Sequence, residues 1–199
     1  MRYRRITAAI LDIFVLIFII SFTISAFPLS NEIKDKYYEI AKIESGVKKY
    51  SEFTVEQKNE INKITFEIER GMVKYYIIMI VIITIYFILI PAYLNGQTVG
   101  QHIRKVRLIS DEKITLNTYI IRSTLNSGLF LMILLSILLY ILNAIWYSRV
   151  ETILFFVQFI YWIVCFLMLL IKGETIHDKI TKTKVIEVKR WKNIVNKNR

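Results

Sequence analysis

The chain has 199 residues, 55% of them apolar and 22% charged, with a formal net charge of +11. Soluble domains average about 45–50% apolar and about 25% charged residues, so the distribution along the chain decides more than the totals. Apolar residues gather into long blocks and charges fill the gaps, which excludes a single soluble core. One cysteine, Cys165, excludes a disulfide scaffold and a zinc ribbon, and six glycines with two prolines exclude a collagen-like chain.

Arg2, Arg4 and Arg5 precede the first block, 6–27, whose sole charge is Asp12. Its apolar stretch exceeds the usual signal-peptide core of about 7–15 residues and contains a carboxylate, so it reads as a retained helix. Segment 28–74 is balanced, with nine basic and nine acidic residues. Ile33, Tyr37, Ile40 and Val47, then Ile61, Ile64 and Ile68, recur at helical spacing and predict an extracellular helical hairpin. Thr54 and Gln57 form a candidate capping box for its second helix, and Gly46 with Tyr50-Ser51 mark the turn.

The second apolar block, 75–94, carries no charge. The loop 95–124 follows, with five basic residues against Asp111 and Glu112. Within it, 106–109 and 113–116 flank Ser110-Asp111-Glu112 in a β-hairpin pattern. Blocks 125–145 and 152–171 come next, joined by a short link with Arg149 and Glu151. From Lys172 onward nine basic residues outnumber three acidic ones, and 184–188 is strand-like. The strand-like pieces are expected to pair into a small sheet below the bilayer.

Each block reaches the roughly 20 apolar residues that cross a bilayer core of about 30 Å. They are apolar on every face, unlike the alternating segments of a β-barrel, and lipid leaves helices as the remaining solution. The expected fold is therefore an all-α membrane protein: a bundle of four transmembrane helices with an extracellular helical hairpin and a small cytoplasmic β element. Residues 1–190 form one membrane domain and 191–199 a basic tail. Basic segments alternate with neutral ones, which places both termini in the cytoplasm. The surplus charge then reads as a topology signal and an attraction to anionic lipids of the inner leaflet, with no need for nucleic acid.

Asp12 is the most informative residue. A carboxylate inside a span costs roughly 2.5–3.5 kcal/mol on insertion scales, so it is paired, protonated or turned to a wet cavity. Arg5 lies two helical turns earlier on the same face, with Ala8 and Ala9 between them. The residues alone leave two readings open: a charge-paired helix contact, and a proton or cation site. The run Gly96-Gln97-Thr98-Val99-Gly100 lacks the Gly-Lys-Ser/Thr of a phosphate loop and reads as a tight backbone turn at the interface. His177-Asp178 with Thr181 and Thr183 suggests a metal site, but the chain has two histidines, His102 and His177, too few for one. No nucleophile stands beside a base, and Cys165 sits in an apolar block as an inert thiol. An enzyme, a metal and a cofactor are not expected. Gln158, Asn143 and Asn126 read as interhelical contacts, and Tyr75, Tyr76, Trp146 and Tyr147 as interface anchors.

The opening Arg4-Arg5-Ile6-Thr7-Ala8-Ala9-Ile10-Leu11-Asp12 resembles that of the RDD family of prokaryotic membrane proteins, with Arg5 and Asp12 at the family's spacing. The family's glycine-rich segment resembles 96–100 continuing to 106–108, its next arginine resembles Arg122, and its His-Asp element with Thr-x-Val resembles His177-Asp178 with Thr183-Lys184-Val185. The outer loop is long for such a protein, and Gln101-His102 stands where basic residues are commoner. The resemblance implies a multi-pass protein of the bacterial cytoplasmic membrane linked to transport, including sodium–proton antiport by a homodimer. It implies Asp12 as the carrier, its charge state set by burial and the nearby arginine, with Arg5, Arg122 and Asp178 as a cytoplasmic polar network. The alternative it implies is a non-transporting adaptor that regulates a membrane or extracellular protein partner, such as a peptidase or a resistance factor, through the outer loop.

Overall fold

The computed structural model describes residues 2–45, 52–111 and 113–188. The expected hairpin turn at Gly46 and Tyr50-Ser51, Val47, Glu112 and the basic tail lie outside the described residues. Helix α1 spans Arg2–Ala26, and α2 spans Asn31–Glu44. Ser30 caps α2 by accepting from the Ile33 amide. Helix α3 runs without a break over Val55–Thr84, so the second hairpin helix and the second span are one element. Its start is the expected box: Thr54 accepts from the Gln57 amide, and the Gln57 side chain accepts from the Thr54 amide. Ile33 of α2 meets Ile64, Ile68 and Tyr75 of α3 in a core of its own. Tyr37, expected on that stripe, points outward and is 49% exposed.

Beyond Thr84 the helix widens into a π segment, Ile85–Leu89, before ending as α4, Ile90–Tyr93. Pro91 supplies the cause: it cannot donate to a carbonyl one turn back, and its ring crowds that turn. The Ile90 amide accordingly bonds the Ile85 carbonyl, five residues earlier. A turn leads to the short α5, Val99–Ile103, and to strand β1, Val106–Ser110.

The structure replaces the expected local hairpin. Residues 113–115 form no strand, and Leu116 already opens helix α6, Leu116–Asn126. Strand β1 pairs, as expected of the tail segment, antiparallel with β2, Thr183–Glu187, with Leu108 opposite Val185 and Ser110 opposite Thr183. Val106, Leu108, Thr183 and Val185 are buried while Lys184 is exposed, the period-two pattern of a sheet with one face packed.

The third apolar block is bent by 69° between α6 and α7, Leu129–Ile141. Gly128 makes the bend with φ of 73°, a left-handed conformation that other residues adopt at a cost. Helix α7 alone is too short to cross a bilayer core, at 1.5 Å per residue. Helix α8 spans Ala144–Lys172, absorbing the link that was expected before residue 152. Asn143 caps its start by accepting from the Trp146 amide, rather than bridging helices. Among the described residues three helices are long and apolar enough to cross a membrane, or four if the bent pair counts as one span. Tyr75 and Tyr147 are buried and so are not interface anchors, whereas Trp146 is exposed. Helix α9, Ile176–Ile180, leads into β2.

The sheet closes a core in which Ala8, Ile83, Ile88, Tyr119 and Leu129 meet Val106, Leu108 and Val185. A third core joins Leu131, Leu135 and Leu139 of α7 to Tyr147 of α8. Helix α1 packs mainly on α5, and among the described residues only 11% of its apolar window is buried.

Candidate functional site

On α1, Arg5, Ala8 and Asp12 follow one another at three and four residues, which places them on one face. Ala8 and Asp12 are the buried residues of this helix. Asp12 Oδ1 accepts from the Tyr86 hydroxyl at 2.6 Å and from the Gly100 amide at 2.7 Å; Oδ2 accepts from the Thr98 hydroxyl at 2.7 Å. All three donors are neutral. Each is placed by a local device: the π segment aims Tyr86, the N-cap position fixes Thr98, and Gly100 brings its backbone against α1. A Cβ on Gly100 would lie 2.3 Å from the Ala8 carbonyl oxygen and 2.7 Å from Asp12 Oδ1, so this approach requires glycine. Gln97 donates to the Val106 carbonyl at 2.6 Å and its own carbonyl meets His102 Nδ1 at 3.2 Å, tying the turn to β1. The Gly96 amide bonds the Pro91 carbonyl at 2.7 Å.

Arg5 does not pair with Asp12. It donates to the Gly173 carbonyl and to Asp178 Oδ2, each at 2.5 Å. The reason is geometric. Seven residues separate the two along the axis by about 10 Å, and side chains on a helix lean towards its N-terminus, so Arg5 reaches away from Asp12. Arg122, from α6, donates through Nη1 to Asp178 Oδ1 at 2.6 Å and to Thr183 Oγ1 at 2.5 Å. Asp178 also accepts from the Thr175 amide at 3.0 Å in a reciprocal cap that opens α9. Arg5, Arg122, Asp178 and Thr183 are thus brought together, while Asp12, Thr98 and Gly100 form a separate centre.

Burial alone would raise the pKa of Asp178, but the guanidiniums of Arg122 and Arg5 outweigh it and hold the carboxyl well below the usual carboxylate range. Its neighbour His177 is buried, and burial together with Arg122 pushes the ring down to about 3, which leaves it neutral at physiological pH. His177 Nδ1 lies 3.3 Å from the Tyr161 hydroxyl. Among the described residues, no three of His, Cys, Asp and Glu converge as a metal ion would require.

A cavity of about 580 Å³ reaches both centres, bordered by Asp12, Thr98 and Gln101 on one side and by Arg5, Arg122 and His177 on the other. Cys165 is buried on its wall. Sequence reasoning missed Tyr86 and the Gly173 carbonyl. Pro91, five residues after Tyr86, was the available signal for the widened turn. Arg2 was also missed as a structural clasp: it donates to the Leu170 and Ile171 carbonyls at 2.7 and 2.8 Å, capping the exposed end of α8.

Neither a curated protein nor a solved structure matches the chain. The family model of the RDD family matches residues 2–181. With nearly the whole chain matched, the protein belongs to the RDD family of membrane proteins.

Proposed function

We propose that this protein is a small transporter of the bacterial cytoplasmic membrane, a cation–proton antiporter in which Asp12 carries the ion. The observation that carries this reading is Asp12 itself: a carboxylate buried within an apolar helix, served by neutral donors only, on the wall of a cavity. Among the described residues no side-chain cation pairs with it, so a proton or a small monovalent cation can cancel its charge. The Tyr86 and Thr98 hydroxyls are donors and acceptors at once. They donate to the bare carboxylate and turn their lone pairs to a bound cation, which needs oxygen ligands. Proton and cation would compete for the same oxygens, the requirement for antiport at one site. With both termini in the cytoplasm, the Arg5–Asp178–Arg122 cluster lies at the inner mouth and controls access. The uncovered faces of α1 and α8 suit a homodimer.

The test is cation-dependent proton flux in proteoliposomes with sodium, lithium and potassium, beside Asp12→Asn checked for folding by gel filtration. Flux that is lost in Asp12→Asn supports the carrier role, and full flux in that variant removes it. A second reading, a non-enzymatic adaptor, draws on the α2–α3 hairpin, which has its own core and presents Tyr38 at 74% exposure. On the outer side of the membrane it would engage a membrane or extracellular protein. Absence of flux from well-folded protein moves the assignment to this reading.

A further inference from the structure

Arg122 spends a single nitrogen on the protein. Its Nη1 serves Asp178, Thr181 and Thr183, while Nε and Nη2 have no hydrogen-bond partner among the described residues. The side chain is 13% exposed and borders the cavity. Nε and Nη2 share one edge of the guanidinium and point their hydrogens in parallel, the fork that grips two oxygens of a phosphate or carboxylate. Two guanidiniums against Asp178 leave this cluster one positive charge in excess, and neutral His177 does not change it; Asp12, on the same cavity, is the remaining carboxylate there and is already served by three donors of its own. An unpaired donor edge that opens on a cavity offers an anionic acceptor two parallel hydrogen bonds.

The mouth of the cavity shows where that acceptor comes from. Ile13, Trp162 and Phe166 stand at its walls and are 55%, 46% and 51% exposed. All three lie inside apolar helices long enough to cross a membrane, so the surface they expose meets acyl chains rather than water. The volume, about 580 Å³, falls in the range of roughly 300–1,000 Å³ usual for ligand pockets. A second copy of the chain is a poor source of the anion. Helices α1, α7 and α8 hold two acidic residues, the buried Asp12 and Glu151, and Glu151 sits two turns into the opposite end of α8.

We infer that the cavity is a lateral binding site for one anionic phospholipid, its headgroup phosphate on the Nε–Nη2 edge of Arg122 and an acyl chain leaving between α1 and α8 past Ile13 and Phe166. The inference is independent of ion transport and holds equally for an adaptor.

The test uses the full chain with Trp146→Phe and Trp191→Phe, which leaves Trp162 as the sole tryptophan, in phosphatidylcholine nanodiscs. Phosphatidylglycerol or phosphatidylcholine with brominated chains is titrated in, and quenching of Trp162 is read. The expected result is quenching by the anionic lipid at roughly tenfold lower mole fraction, the size of one hydrogen bond to a charged group. Arg122→Gln removes the preference. Ala9→Phe, which fills the cavity without touching Arg122 or Asp178, removes it as well and decides the matter if Arg122→Gln does not fold. Equal quenching by both lipids overturns the site. So does a preference that survives Ala9→Phe, since that is attraction to the protein surface. Quenching by a brominated free fatty acid alone overturns the phospholipid assignment. Protection of Trp162 through disulfide crosslinking of two copies across α1 shows that a second chain fills the groove.

Discussion

Asp12 and Asp178 are both buried carboxylates, 5% and 1% exposed, and the protein satisfies them by opposite means. Asp12 receives three neutral donors and no cation. Asp178 receives two guanidiniums and a backbone amide. The difference follows from where each lies. Inside a span every added cation would bring its own desolvation cost, so the donors at Asp12 come from backbone devices: a π segment, a cap and a glycine. At Asp178, in the short α9, the long apolar helices have ended, and the pairs join segments far apart in sequence, residue 5 to 178 and residue 122 to 178. One carboxylate clasps the fold, whereas the other is held in a setting that a change of charge leaves standing.

The largest expected effect tests that distinction. Asp178→Asn leaves Arg5 and Arg122 buried without their counter-charge, and removing one partner of a buried ion pair costs about 3–5 kcal/mol. Asp12→Asn keeps an oxygen for two donors and lets the Thr98 hydroxyl reverse, so its cost stays within about 1.5–3 kcal/mol, the range for hydrogen bonds to a charged group. Thermal unfolding of both variants in detergent orders them. If Asp12→Asn proves the more destabilising, Asp12 is the clasp and the comparison is inverted.

A smaller effect is expected at the contact that builds the Asp12 centre. Gly100→Ala sets a methyl 2.3 Å from the Ala8 carbonyl, backbone against which no side chain can yield. Helix α5 must retreat from α1, and the Gly100 amide leaves Asp12. Overpacking of this kind costs about 1–3 kcal/mol. A melting temperature unchanged from the wild type would mean that α5 does not press on α1.

Much of this arrangement was readable from residue patterns. Asp12 stood out because a charge in an apolar run must be accommodated, and the capping box at Thr54 and Gln57 and the strand-like character of 106–109 and 184–188 followed from local rules that the structure keeps. Partners were harder to read than positions. The seven-residue spacing of Arg5 and Asp12 suggested a pair because it puts both on one face, but the lean of helical side chains and the competing Asp178, 173 residues away, decide otherwise. The pairing of 106–109 with the tail strand was expected and the structure keeps it, whereas 113–116, offered as a local partner by the polar turn, forms no strand. The bend at Gly128 was hidden because an apolar run tolerates glycine without losing its hydropathy. Tyr86 was invisible for a similar reason: its role depends on the turn that Pro91 widens.

A pH titration sharpens the comparison from the Asp178 side. His177 is buried beside Arg122, Arg5, Asp178 and Tyr161, and its pKa falls from 6.5 to about 3. The unfolded chain therefore takes up a proton as pH drops through 6.5, while the folded protein does not until near 3. Between these values the unfolded state binds more protons, so stability declines with falling pH and is fully present only above 6.5. The slope approaches about 1.4 kcal/mol for each pH unit. Asp178 adds nothing in the upper part of this window, because its contribution begins to fade only as pH falls below its ordinary value of 3.8. His177→Gln keeps a polar group opposite Tyr161 and removes the titrating ring. Melting temperatures followed downward from neutral pH should fall in the wild type and stay level in His177→Gln across the first units below 6.5. A slope that persists in His177→Gln would place the acid sensitivity elsewhere than in the ring beside the Arg5–Asp178–Arg122 cluster.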